Sequence, residues 1–226
     1  MVVITICTSV AALGANTTSN YNTAIGLDVL QNNTAADNTG VGRNVLNANT
    51  TGTKNTAVGA LALDANTTAD GNTAIGYEAL TDNTTGANNV AVGTYALDDN
   101  TTGENNTAVG QHALGAVSTA SYNTAVGQGA LYNNTVASNT AVGNHCMLTN
   151  TTGVENTAVG ADALKMNTTG ANNVAMGYQA LDANTTANYN AAFGVNSLTA
   201  NTTGERNCAF GSASSENNVT GSYITA

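Results

Sequence analysis

Asn55-Thr56-Ala57-Val58-Gly59-Ala60-Leu61-Ala62-Leu63-Asp64-Ala65-Asn66-Thr67-Thr68-Ala69-Asp70-Gly71 is followed at once by Asn72-Thr73-Ala74-Ile75-Gly76, and the pattern begins again. The motif Asn-Thr-Ala-Val-Gly, with variation, closes at Gly26, Gly42, Gly59, Gly76, Gly93, Gly110, Gly127, Gly143, Gly160, Gly177, Gly194 and Gly211. The intervals are 17 residues, except for 16 at Gly26–Gly42 and Gly127–Gly143. Leu stands four residues after most of these glycines, as at Leu63 and Leu97, and Met147 fills the slot once. Three residues further on comes a second Asn, as at Asn66 and Asn100.

A 17-residue period is too short for helical repeats, which need about 33 residues or more. It fits one turn of a parallel β-solenoid, in which equivalent residues stack at about 4.8 Å and the backbone pairs from coil to coil. The expected fold is therefore all-β, with about 17 residues per coil. Three variable stretches per coil leave a three-sided β-helix as the alternative cross-section. The expected division is a cap and partial coil over residues 1–18, a twelve-motif solenoid over 19–211, and a C-terminal cap over 212–226. The apolar run from Val2 to Ile6 is a candidate for pairing with another subunit.

The elements of the repeat have physical reasons. Residues Asn55, Ala57, Val58, Gly59, Leu63 and Asn66, and their equivalents Asn89, Ala91, Val92, Gly93, Leu97 and Asn100, are read as the structural motif. Asn tolerates left-handed backbone and bonds to nearby peptide groups, and stacked Asn side chains form ladders. Period-two alternation places Thr56 and Val58 on one face and Ala57 on the other. Because the Val position also accepts Ile, Met and Phe, it is expected to point inward. The Ala column, broken only by Gly40, is expected to lie outside against a partner. So thin a core argues for association between chains.

Composition narrows the function. The chain has 226 residues, net charge −10, 8% charged residues and no Pro. Its 36 Asn and 38 Thr make up a third of the chain. The absence of Pro suits coils that must each donate N–H groups to the next. Four Lys and Arg are too few to meet a phosphate backbone, so nucleic acid is not an expected partner. No run of about 18 apolar residues exists to insert in a membrane. Cys7, Cys146 and Cys208 have neither metal-ligand nor disulfide spacing. The first fifteen residues faintly resemble a signal peptide but lack a positive n-region.

Asn88-Asn89-Val90-Ala91-Val92-Gly93 and Asn172-Asn173-Val174-Ala175-Met176-Gly177 resemble the head repeats of YadA-like trimeric autotransporter adhesins. The arrays are also similar to NTAVGxxAL repeats of phage tail fibres. The resemblance spans about residues 10–221. It implies a left-handed β-roll with three chains around one axis, although the 17-residue period is longer than that family's usual repeat. No coiled-coil stalk, membrane anchor or chaperone domain is recognisable, so the chain reads as a shaft or head module. The expected function is that of a structural and adhesive fibre module for host attachment, on a virion appendage or a cell surface. Its expected partners are itself, other fibre proteins, and a cell-surface receptor or glycan. A bacterial adhesin head and an ice-binding solenoid, the latter suggested by the Asn-Thr-Thr-Gly threonines, are the alternatives.

Candidate sites lie at variable corners. Tyr77, Tyr95, Tyr132 and Tyr178 are candidate receptor contacts, because aromatics favour binding surfaces. Asp64, Asp82, Asp98 and Asp99 form a strip that is a weak Ca²⁺ candidate. No cofactor is expected, and no cleft surrounds these acids, so no enzyme activity is expected. His112 and His145 stand at the same offset from their glycines, two coils apart, or about 10 Å, too far to share one zinc ion. The many Asn-x-Thr sequons follow from the repeat itself.

Overall fold

The computed structural model describes the backbone of Ile6–Cys7 and residues 11–226. The candidate pairing run from Val2 lies almost wholly outside the described residues. The fold is an all-β parallel solenoid, and no helix occurs among the described residues. The chain divides into two compact units, one through His112 and one from Ala113 onward.

In the first unit, β1 (Ile6–Cys7), β2 (Thr23–Ile25), β3 (Thr39–Val41), β4 (Thr56–Val58), β5 (Thr73–Ile75), β6 (Val90–Val92) and β7 (Thr107–Val109) pair in parallel, each with the next. In the second, β8 (Thr124–Val126), β9 (Thr140–Val142), β10 (Thr157–Val159), β11 (Val174–Met176), β12 (Ala191–Phe193) and β13 (Cys208–Phe210) do the same. Register follows the repeat: Thr56 pairs with Thr73, Ala57 with Ala74 and Val58 with Ile75. Each coil contributes one short strand, so the described residues do not form the three sheets of a three-sided β-helix. Residues 212–226 continue the coil, since Cys208 bridges to Thr225 in parallel.

The rest of each coil is turn, held by backbone rungs. Thr56 donates its N–H to Asn72 at 2.9 Å, Leu63 to Ala79 at 3.1 Å, and Leu61 to Arg43 at 2.9 Å. The turns need left-handed backbone at fixed places. Lys54, Leu61 and Leu63 have φ of 60°, 62° and 53°. For Leu63 this conformation carries a steric penalty of about 1–2 kcal/mol. Complete burial of the side chain and its rung to Ala79 offset it. At Gly76, φ is +143°, a region essentially confined to glycine. A Cβ there would lie 2.4 Å from the Gly93 carbonyl oxygen.

The faces of the strand are the reverse of the sequence expectation. Ala57, Ala74, Ala91 and their equivalents are fully buried, while the flanking Thr and Val positions point outward and stay half-buried or exposed. The reason is the width of the coil. The opposite wall, built from residues such as Val29, Leu30 and Val45, comes so close that the strand has room for little more than a methyl. A Cβ added to Gly40 would lie 2.5 Å from Val29 Cγ1 and 3.4 Å from Val45 Cγ1. The core is a column of Leu with Met147, faced by small residues. Where Cys146 and Ser197 enter it, each bonds to a strand carbonyl, Ala158 and Ala209 respectively, at 3.3 Å.

Two asparagine columns complete the interior. In the first, Asn66 donates its side-chain amide to Asn49 Oδ1 at 2.8 Å, and Asn83 donates to Asn66 Oδ1 at 3.0 Å. In the second, Asn72 donates its backbone N–H to Asn55 Oδ1 at 2.9 Å and its side-chain amide to the Gly86 carbonyl at 2.9 Å. Buried polar groups are thereby satisfied from coil to coil, except at Asn100, whose Oδ1 is buried without a hydrogen-bond partner. The 16-residue intervals arise between these columns, where four rather than five residues separate Asn33 from Asn38 and Asn134 from Asn139. There the columns touch: Asn38 donates to Asn33 Oδ1 at 3.3 Å, and Asn139 to Asn134 Oδ1 at 3.2 Å.

Candidate functional surfaces

The outward strand face is the most extended chemical feature of each unit. Every outward position of β2 through β13 is Thr, Val, Ile, Met, Phe, Ala or Cys, so the face carries no charge on a chain of net charge −10. Its apolar row is open: Ile75 is 41% exposed, Met176 40% and Phe210 76%. In-register parallel pairing stacks the equivalent side chains one above another within each unit.

The corner tyrosines divide. In the first unit Tyr77 and Tyr95 meet edge to face with ring centroids 5.6 Å apart, and His112 stacks on Tyr95 at 5.0 Å. Tyr77 is exposed; a hydrogen bond to Glu78, with the charge of that carboxylate, raises its phenol above the ordinary value. In the second unit Tyr132 and Tyr178 are exposed, but they stand at different offsets from the motif glycine and occupy different columns. A second tyrosine corner escaped the sequence reading. Tyr21, Tyr122, Tyr189 and Tyr223 are 61%, 65%, 53% and 71% exposed. Each sits in left-handed backbone one residue before the strand-side column. Their common offset from Asn22, Asn123 and Asn190 was the available signal. Arg206 lies between two of them, 5.2 Å from the Tyr189 ring and 5.7 Å from the Tyr223 ring.

The acidic strip does not assemble a metal site: among the described residues no three His, Cys, Asp or Glu side chains group to hold an ion. Asp64, Asp82, Asp98 and Asp99 follow the Leu position on three successive repeats. Their electrostatics are nonetheless unusual. Burial pushes the Asp98 carboxyl up to about 6; its own backbone N–H and His112 oppose the shift, while Asp99 and Asp82 add to it. Asp98 Oδ1 is shielded from solvent without a hydrogen-bond partner. Burial likewise raises Asp64, and it raises Asp182 against the opposing charge of Lys165. Lys165 pairs with Asp162 at 2.9 Å, and that bond raises the ammonium above its usual range.

The thiols differ sharply. Cys146 is buried, and burial pushes it up to about 12, so it is protonated and inert at neutral pH. Cys208 is exposed on β13. His145 fills the space above Gly129, where a Cβ would lie 3.0 Å from its Cδ2.

The Asn-Thr-Thr-Gly threonines have two roles. The first hydroxyl is tied down: Thr50 donates to the Thr67 carbonyl at 3.0 Å, and Thr84 to Thr101 at 3.0 Å. The second, as at Thr51, Thr68 and Thr85, is exposed, and this outer ladder is interrupted at Ala35 and Val136. No protein-family model, curated protein or solved structure matches the chain.

Proposed function

We propose that the chain is a structural and adhesive fibre module that associates with copies of itself through the outward Thr and Val face. The observation that carries this reading is the uncharged outward row of each unit, half-buried at Val58 and Val92 and exposed at Ile25, Ile75, Val159, Met176 and Phe210. Apolar area left in water favours association, and a face without charge lets like copies of an acidic chain approach without repulsion at the contact. The partner-facing surface is thus the Thr and Val rows rather than the Ala column. The resemblance to YadA-like heads sets the expected number of chains at three. Attachment then uses the corners, which carry the tyrosines and the charged residues.

The setting this reading expects is extracellular, on a virion appendage or a cell surface, and a bacterial adhesin head would use the same geometry. Sedimentation or light scattering on the native protein tests it. The expected mass is three times that of the chain, and a stable monomer at micromolar concentration removes the reading. A monomer that also produced thermal hysteresis would move the assignment to ice binding.

A further inference from the structure

The second unit repeats the first at a fixed offset. Gly26 and Gly127 are 101 residues apart, and so are Gly42 and Gly143, so the 16-residue interval recurs at the same place in each unit. Tyr21 and Tyr122 keep the same offset. Strands β2–β7 therefore correspond one to one with β8–β13. Over the first three strands of each set the outward faces are nearly the same. Thr23, Thr39, Val41, Thr56 and Val58 recur as Thr124, Thr140, Val142, Thr157 and Val159, and only Ile25 changes, to Val126. Over the last three strands all six outward positions differ. The buried column of those same strands does not: Ala74, Ala91 and Ala108 stand again as Ala175, Ala192 and Ala209.

The difference has a shape. In the first unit β6 presents Val90 with Val92, and β7 presents Thr107 with Val109. In the second, β12 presents Ala191 with Phe193, and β13 presents Cys208 with Phe210. The larger side chain grows while its companion on the same face shrinks. The two rings lie 5.7 Å apart, and Phe210 is 76% exposed. Neither the Leu column nor the asparagine ladders call for these rings, because they point away from both. A ring beside a small side chain is a knob beside a hole, and a second copy held at the same level offers a hole for each ring.

Repetition creates the need for such a block. A face of Thr and Val specifies register weakly, since a slip of one coil, about 4.8 Å, restores the same contacts. Two units with like faces would add a larger error, the first unit of one copy against the second unit of another. That contact leaves one unit of each copy free to repeat it, so it is head-to-tail and does not close. We propose that Phe193 and Phe210 fix the register of self-association: the second unit accepts the second unit of another copy at the same level and rejects the first. Against a first unit the rings meet Val90 and Thr107 where matched copies offer Ala191 and Cys208, and the surplus volume is destabilising. The partner is a second copy because only a surface of the same coil spacing stays in step along the face. The lack of charge on that face, in a chain of net charge −10, suits the same partner. The proposal rests on the fibre reading and names what orders the copies within it.

Light scattering and native mass on two variants of the whole chain test it. Ala191→Val, Phe193→Val, Cys208→Thr and Phe210→Val give β12 and β13 the outward residues of β6 and β7. Val90→Ala, Val92→Phe, Thr107→Cys and Val109→Phe, kept reduced, do the reverse. Each variant removes the difference between the units on those strands. The native chain is expected to give one oligomer whose mass holds across concentration. Both variants are expected to give species at least about twofold heavier that grow with concentration, as open contacts do. Circular dichroism checks the fold, and if one variant unfolds the other decides. Native mass kept in either folded variant, or growth in the second variant alone, overturns the proposal and leaves the fibre reading. Dissociation of the first variant to single chains does the same, because the rings would then supply affinity and not register. A monomeric native chain removes both.

Discussion

Gly40 lies directly across the core from Val29: a methyl added to Gly40 would stand 2.5 Å from Val29 Cγ1. Elsewhere the strand position is Ala, and the residue facing it is Ala, Cys or Ser in all coils except those with Val29 and Val45. Small and large have been exchanged across a gap that holds a constant volume. Gly40→Ala alone should therefore destabilise by about 1–3 kcal/mol through overpacking. Adding Val29→Ala should recover most of that loss, which a double-mutant cycle in urea would show as coupling. Strictly additive losses would mean that the two residues do not share the space.

The asparagine column should be equally sensitive. Asn83 donates to Asn66 Oδ1 at 3.0 Å and to the Gly86 carbonyl at 3.0 Å, and it accepts from Asn100 at 2.8 Å. Asn83→Ala strands buried partners on both sides, at a cost of about 2–4 kcal/mol. Amide exchange should accelerate first in the coils containing Asn66 and Asn100. Uniform acceleration through the first unit would show instead that the coils unfold as one.

Acid should stabilise one corner. The folded Asp98 carboxyl, at about 6, lies above its ordinary value of 3.8. The folded state therefore holds this proton more tightly than the unfolded state. Its contribution is fullest below about pH 4 and is lost as pH rises towards 6. Because the group is half exposed, solvent screening limits the effect to about 1 kcal/mol. Asp98→Asn should raise the melting temperature at pH 7.5 and leave it nearly unchanged at pH 3.5. A variant less stable at neutral pH would contradict the assigned cause.

Charge on the outward face should separate assembly from folding. Ile75→Lys with Val92→Lys alters two side chains that point away from the Leu column. The expected result is an unchanged far-ultraviolet spectrum and a loss of native mass to that of one chain. Retained oligomers would place the contact on another face.

Thiol chemistry offers an independent check of burial. Iodoacetamide at pH 8 should leave Cys146 untouched in the folded protein, because only the thiolate reacts and burial holds Cys146 at about 12, whereas Cys208, exposed on a single chain, should react only where the outward face is uncovered. Peptide mass spectrometry reads both sites, and denaturation should make Cys146 reactive.

The repeat alone determined the period, the coil-to-coil pairing and the place of the asparagine columns. A spacing of 17 residues between Thr56 and Thr73 leaves few other ways to pair these backbones, and buried Asn without a ladder would go unsatisfied. Alternation could not determine which face of the strand is inside, because Thr56 and Val58 against Ala57 is the same pattern read from either side. The distance to the opposite wall decided it, and that distance exists only once Val29 and Leu63 have folded across the coil. The corners follow the same logic. Tyr95 meets His112 because both stand at one offset from successive glycines, whereas Tyr132 and Tyr178 belong to different columns.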